Sequence, residues 1–285
     1  MSVLYCLVEA LITTVLARQY QPAFRYQWGI ENMFFCSFYR IATLGSGSGI
    51  AAIIYLNEHG IDYSQGFGLY MLQYAFHKIS IAIYSVIFFV ISWGYMCSHF
   101  GGYVWLLLAG YGITMLITLG LILFCCSEKF HRLIFWLIDA CNKKGKMDAL
   151  RVQLTAQCAE LEEASRFLLK KHKMVAGIIV LNLIKLCFWY GMPYLLFVGN
   201  GQVNLIETMA ITSLSVMLAA VLPSPSGIGS TEFVFTALFA GIVGTGVAGS
   251  ASLLYRFATF VFPFIIGIFV VIGRRIREHR ANENL

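Results

Sequence analysis

Long apolar runs separated by short polar stretches set the plan of this chain. A helix that crosses a bilayer needs about 20 mostly apolar residues. Runs of that kind occupy 67–93, 103–125, 174–198 and 249–272, with a shorter one at 1–17. Two further apolar runs are interrupted. The run 33–56 is broken by Gly45-Ser46-Gly47-Ser48-Gly49, and the run 205–245 by Pro223-Ser224-Pro225-Ser226-Gly227-Ile228-Gly229. Glycine permits tight backbone turns and two prolines stop a helix. The pattern therefore predicts an all-α, polytopic membrane protein in which two apolar stretches turn back on themselves.

Charge placement orients these elements. Ten of the 20 Lys and Arg fall between Lys129 and Lys173, and four between Arg274 and Arg280. By the positive-inside rule both stretches are cytoplasmic, as are residues 18–30, which carry Arg18 and Arg25. The short stretches 94–102, 199–204 and 246–248 lack Lys and Arg and can sit outside. Between residues 18–30 and Lys129 the number of crossings must be even, yet three apolar runs lie there. The glycine-broken run 33–56 is thus expected to be a re-entrant hairpin opening to the cytoplasm. In the second half, 205–245 is either a second hairpin of two half-helices or two full spans; both satisfy parity.

Each half then reads span, broken run, span, from opposite starting sides. That is an inverted-topology repeat, a design in which discontinuous helices meet near the midplane and form a substrate site. The expected divisions are a first membrane half at 1–127, a basic connector at 128–173, a second half at 174–272 and a basic tail at 273–285. Within the connector, Met147 to Lys171 is helix material. Leu150, Leu154, Leu161 and Leu168 fall near one face, and Glu162 and Arg166 form an i,i+4 pair. It is expected to lie on the inner surface, where Lys170-Lys171-His172-Lys173 favours anionic headgroups.

Composition agrees and excludes other classes. Hydrophobic residues make up 59% and charged residues 12%, and the mean hydropathy is +0.76. The net charge of +6 is accounted for by residues flanking spans, so nucleic acid is not an expected partner. The eight cysteines show no C-x-x-C pair or Cys/His ligand spacing, so they are read as packing residues, with no metal site. No cleavable signal peptide is evident. There is no H-E-x-x-H, G-x-S-x-G or phosphate-binding loop of the G-x-x-x-x-G-K type. Asp62, Asp139 and Asp148 lie near interfaces. No catalytic residue and no cofactor is expected.

Function is therefore sought among polar residues inside apolar runs. The second break offers free backbone N–H groups at a helix start, an arrangement suited to phosphate. Ser230 or Thr231 can cap the helix that follows. Glu232 opens that helix, either as a cap or as a protonatable coupling group. Arg256, the lone charge in its span, either pairs with Glu232 or meets a lipid phosphate. Arg40 with Ser46 and Ser48 is the counterpart at the first break. Lys185 is too far from either end of its span to snorkel, so an interior position is expected. His77 is read as a satisfied structural group, and Glu58 and His59 as solvated interface residues.

The segment 223–232, Pro-Ser-Pro-Ser-Gly-Ile-Gly-Ser-Thr-Glu, followed about 20 residues later by Leu254-Tyr255-Arg256, resembles a P-x-P-G-G-x-G-x-x-E…(Y)R pattern. That pattern belongs to the transmembrane region of lysylphosphatidylglycerol synthases and their stand-alone flippase-like relatives. Thr43 to Gly49, then Tyr55-Leu56 and Gly60-Ile61, resembles the family's earlier Gly-rich motif. The resemblance covers roughly residues 3–275. Ser226 replaces the first glycine of the usual pair, the first loop lacks the usual Pro and Gln-type residues, and the chain starts near the family's second span. The expectation is a stand-alone member lacking the soluble acyltransferase domain.

The resemblance implies a bacterial inner-membrane lipid translocase, N-terminus outside and C-terminus inside, with a place in antimicrobial peptide resistance. Ser46, Ser48, Ser224, Ser226, Gly227, Gly229 and Thr231 would line a headgroup site. Arg256 and Arg40 would hold phosphate, and Glu232 and Lys185 would couple or gate. Membrane phospholipid is the expected partner, with a homo-oligomer or a separate lipid-modifying enzyme possible. The alternatives are a phosphatidylglycerol lysyltransferase-type enzyme needing a catalytic partner, and a non-transporting scaffold.

Overall fold

In the computed structural model all residues are described except 142–154, 156, 157, 160, 163, 165, 199–202, 223, 284 and 285; for 121, 122, 125, 126, 128, 137, 139–141, 278 and 281–283 the backbone alone is described. Most of the described residues are helical, with no strand among them. The order begins with α1 (Ser2–Ala17), α2 (Tyr26–Ala42), α3 (Gly47–Glu58), α4 (Tyr63–Ile91), α5 (Trp93–Phe100), α6 (Val104–Cys126) and α7 (Glu128–Cys141). It continues with α8 (His172–Tyr190), α9 (Met192–Phe197), α10 (Leu205–Ala219), α11 (Ser230–Val243), α12 (Thr245–Arg256) and α13 (Phe262–Glu283). Among the described residues five helical stretches are long and apolar enough to cross a membrane: Tyr63–Ile91, Trp93–Gly120, His172–Phe197, Pro225–Val243 and Thr245–Arg277.

Both interrupted runs are helix–turn–helix hairpins. The first break separates α2 from α3 and the second separates α10 from α11. At 1.5 Å per residue, α3 with 12 residues reaches only about 18 Å, short of the roughly 30 Å hydrocarbon core, whereas α11 with 14 residues is extended by the 3-10 turn at Pro225–Gly227 into one of the five long stretches. The turns form where side-chain sterics are relaxed: Gly45 has φ 105°, Gly227 φ 71° and Gly229 φ 84°. At its far end the second hairpin is capped by Asn204 and Glu207, whose side chains and backbone N–H groups exchange hydrogen bonds.

Close backbone approach holds the first hairpin against its neighbours. A Cβ added to Gly267 on α13 would sit 2.5 Å from the Phe34 carbonyl oxygen on α2, and beside it Phe264 and Phe38 stack at 5.6 Å. Gly29 on α2 bears in the same way on the Ala10 carbonyl of α1, at 2.6 Å. Gly267→Val is expected to destabilise the fold by about 1–3 kcal/mol through overpacking. Thermal unfolding in detergent checks this, with Gly273→Ala, where an added Cβ meets nothing within 4 Å, as the neutral comparison.

The structure adds to the sequence reading at several points and departs from it at others. Residues 94–102, left between two spans in the sequence reading, form the helix α5 followed by a 3-10 turn. Nothing in that stretch breaks a helix until Gly101, at φ 48°. The final span is longer than 249–272. α12, a π-helical turn at Phe257–Val261 and α13 run on from Thr245 to Glu283, so the basic tail is helical. Ion pairs from Arg274 to Glu58 on α3 and from Arg277 to Glu31 on α2 tie that tail to the first hairpin.

Glu58 remains exposed while pairing with Arg274, but His59 is half-buried: it stacks on Tyr55 at 4.4 Å and hydrogen-bonds the Tyr55 carbonyl at 2.8 Å. Helix α11 is capped neither by Ser230 nor by Thr231 but by Glu232, whose Oε2 accepts the Gly229 N–H at 2.8 Å. In the connector, Leu161 and Leu168 are fully buried with Ile12 and Leu16 of α1 and Ile178 of α8, so this part docks on the bundle. The Glu162–Arg166 pair is present at 2.8 Å; Leu150 and Leu154 lie outside the described residues.

Candidate functional site

The tips of the two hairpins touch. A Cβ on Gly45 would lie 2.8 Å from Ser226 Oγ, and Ser226 Oγ donates a long hydrogen bond to the Arg40 carbonyl at 3.5 Å. The second tip is held from α12. The Arg256 guanidinium pairs with Glu232 at 3.1 Å, donates to the Ser226 carbonyl at 2.7 Å and lies over the Phe260 ring at 4.1 Å. The π-helical turn that carries Phe260 follows Arg256 directly. Such turns are rare insertions, often found at functional positions.

Beside this contact lies a cavity of about 450 Å³. The first tip contributes Arg40, Gly45 and Ser48, and the second contributes Ser226. Helix α4 contributes Tyr70, Gln73, Tyr74, His77 and Lys78, while Tyr5 and Glu9 come from α1 and Trp189 from α8. A smaller recess of about 60 Å³ continues from it between α1 and α2, toward Asn32 and Cys36. Counted along the helices, Tyr70 to Lys78 are interior to α4, which runs from 63 to 91, and Trp189 lies near the end of α8.

The electrostatics of the wall are uneven. Glu9 accepts from Lys185 Nζ at 2.6 Å and from Gln73 Nε2 at 3.0 Å, and Lys185 also donates to Asn182 Oδ1 at 2.7 Å. Lys185 is 1% exposed, whereas Glu9 keeps 23%. Among the described residues neither Arg40 nor Lys78 has an ion pair; Lys78 sits over the Tyr74 ring at 5.4 Å. With Glu9 balanced by Lys185, the wall carries an excess of two positive charges. His77 Nδ1 is buried without a hydrogen-bond partner, and its ring stacks on Trp189 at 5.9 Å; it is not the satisfied structural group expected. Cations among aromatic faces at the rim of a polar cavity are suited to an anionic headgroup.

The sequence-predicted residues divide into two groups. Arg40, Ser48 and Ser226 line the cavity. Ser224, Gly227, Gly229, Thr231, Glu232 and Arg256 build the second tip instead. Ser224 and Ser230 share a hydrogen bond at 2.6 Å, the Gly227 N–H donates to the Ser224 carbonyl, and the Gly229 N–H is held by Glu232. Those donors are turned inward to the loop. Ser46 donates to the Thr43 carbonyl at 2.9 Å and lies off the wall. Lys185 sits behind the wall, bound to Glu9.

The residues that sequence reasoning missed are Glu9, Gln73, Asn182 and the aromatic lining. Glu9 had a usable signal: it is the lone carboxylate in the apolar run 1–17, and Lys185 is a lone cation in another. Among the described residues there is no group of three His, Cys, Asp or Glu placed to hold a metal.

Residues 1–267 match the family described as the lysylphosphatidylglycerol synthase TM region. The chain belongs to this family. Among curated proteins and among solved structures none matches the chain. Membership and the apolar helices together make it a multi-pass membrane protein. In this family member residues 224–232 of the patterned segment and Arg256 form one hydrogen-bonded unit, which presents Ser226 to the opposing tip.

Proposed function

We propose that this protein is a lipid translocase that moves the anionic headgroup of a phospholipid between leaflets through the cavity where the two hairpin tips meet. The observation that carries the proposal is the tip contact between Gly45 and Ser226, placed beside a cavity with two uncompensated cations. In this reading both hairpins are re-entrant, one entering from each side of the membrane, and the two halves are inverted repeats. Broken backbone at membrane depth is tolerated against protein or a watery cavity, and both tips meet that condition.

Arg40 and Lys78 hold the phosphate, and Ser48 and Ser226 donate to it. Tyr5, Tyr70, Tyr74 and Trp189 supply an amphipathic wall for the rest of the headgroup. The Glu232–Arg256 pair sets the position of the second tip, and the Glu9–Lys185 pair does the same for α1 against α8. Movement of either tip would change which side the cavity faces. By the positive-inside rule the C-terminal basic helix and the connector are cytoplasmic and the N-terminus is outside, as in a bacterial inner membrane.

The test is leaflet exchange of a fluorescent phosphatidylglycerol in proteoliposomes, read by quenching of the outer-leaflet label. Exchange well above that of protein-free liposomes is expected. An exchange rate equal to the lipid background, with the protein monodisperse and helical, overturns the proposal. A new aminoacylated lipid appearing in extracts only when this chain is expressed would favour the enzyme reading instead.

The second tip gives a further prediction. Arg256→Gln leaves Glu232 without its cation and the Ser226 carbonyl without its donor, so the tip loosens. Breaking a half-buried, hydrogen-bonded pair of this kind costs about 1–3 kcal/mol. The expected outcome is exchange reduced by about tenfold or more in Arg256→Gln, partly restored in Arg256→Lys.

A further inference from the structure

The first hairpin has a second face. Along α2 the cavity takes Cys36 and Arg40, whereas Phe35, Tyr39 and Thr43 point to the other side. Along α3 it takes Ser48, whereas Ile50 and Ile54 face away. On that far side, α2, α3 and α13 enclose a groove of about 410 Å³. Its walls are apolar, with Ile50, Ile54 and Val271 prominent, and Thr43 and Gly47 lie at its deep end. Glu58, Arg274 and Arg275 stand at its mouth.

The charges at the mouth are not equivalent. Arg274 is engaged: it bridges Glu58 and lies over the Phe35 and Tyr55 rings at 4.5 and 4.7 Å. Glu58 is therefore balanced. Arg275 is exposed and has no ion pair among the described residues. The groove thus has one available cation at its mouth and hydrocarbon walls below it. The wall formed by α3, from Gly47 to Glu58, is 12 residues long, or about 18 Å, close to the roughly 15 Å depth of one leaflet. A soluble phosphate would find no use for such walls; a lipid matches both ends.

We propose that this groove is a docking site for one phospholipid with an anionic head, its phosphate on Arg275 and one acyl chain lying along Ile50 and Ile54 toward the tip. The polar end lies at the basic end of α13, so the bound lipid belongs to the leaflet on that side. The site is separate from the central cavity, so its failure leaves the translocase proposal standing and the converse also holds.

The experiment uses the full chain in nanodiscs of mixed phosphatidylglycerol and phosphatidylcholine. Lipids that stay with the protein on release are counted by native mass spectrometry. One phosphatidylglycerol retained in the groove is expected for the unaltered chain, beside any held in the central cavity. Its occupancy is expected to fall about tenfold in Arg275→Gln, which removes a charge-assisted contact, and in Ile54→Trp, which fills an exposed wall position. Arg275→Lys and Arg40→Gln are expected to keep it. Variants are compared at equal helicity by circular dichroism. No retained lipid in the unaltered chain overturns the proposal, as does occupancy unchanged in either Arg275→Gln or Ile54→Trp. Occupancy lost in Arg40→Gln also overturns it, because the retained lipid would then sit in the central cavity.

Discussion

Glu9→Ala is expected to be the most destabilising single change in the bundle, by about 3–5 kcal/mol. The reason lies with its partner more than with Glu9 itself. Lys185 is 1% exposed and has one anionic contact, the Glu9 carboxylate at 2.6 Å. Removing that carboxylate leaves an ammonium buried among helices, with the Asn182 amide oxygen as its remaining acceptor. A charge stranded within apolar surroundings costs far more than an exposed one.

The reverse change is expected to cost less. In Lys185→Met, Glu9 keeps its bond from Gln73 Nε2 and its opening to the cavity. The double variant Glu9→Gln with Lys185→Met is expected to recover most of the loss, because replacing both members of a buried pair is often near neutral. Unfolding of the four proteins in detergent, followed by helical circular dichroism, gives the ordering. Equal losses for Glu9→Ala and Lys185→Met, with no recovery in the double variant, would show that the pair is not what holds α1 to α8.

The pair also shows where reading from sequence runs out. The breaks in the runs 33–56 and 205–245 were legible because Gly and Pro punctuate backbone directly, and the described residues turn at 43–46 and 224–229, although Gly47 to Gly49 already belong to α3. Glu232 and Arg256 were legible as a pair because each is a rare charge in an apolar run, only 24 positions apart in the chain. Glu9 and Lys185 are 176 residues apart, and only the packing of α1 on α8 joins them. The choice between cavity wall and tip scaffold was also hidden. Gly227 and Gly229 looked like free donors, but whether an N–H points outward depends on the turn, and here Ser224 and Glu232 take both. The helix α5 escaped because an uncharged stretch between two apolar runs reads equally well as a loop.

The largest expected functional effect belongs to Arg40→Gln. Arg40 closes α2 next to the first tip, and its side chain borders both the main cavity and the recess beneath it. Because it has no ion pair among the described residues, its charge is available to a ligand, unlike that of Arg256 or Lys185. Hydrogen bonds to a charged group contribute about 1.5–3 kcal/mol, so apparent affinity for an anionic headgroup is expected to fall by about 10- to 100-fold. The fold should be little affected, since no carboxylate is left unpaired. Arg40→Lys should restore part of the affinity, and adding Lys78→Gln should deepen the loss. Leaflet exchange as a function of phosphatidylglycerol fraction reads all of these; a rate in Arg40→Gln equal to that of the unaltered chain would remove Arg40 from the headgroup site.

If the protein moves lipid as proposed, its two tips meet in a water-reached, lipid-occupied chamber within the membrane. The most direct measurement places a single cysteine at Ser226, in a chain from which the eight native cysteines have been removed. An impermeant thiol reagent is then applied to proteoliposomes of increasing phosphatidylglycerol content. The account predicts modification from the aqueous side, slowed several-fold as the anionic lipid competes for the cavity, and restored to the faster rate when Arg40→Gln is added. A cysteine that reacts at the same rate at every lipid composition, or that never reacts from either side, would contradict it.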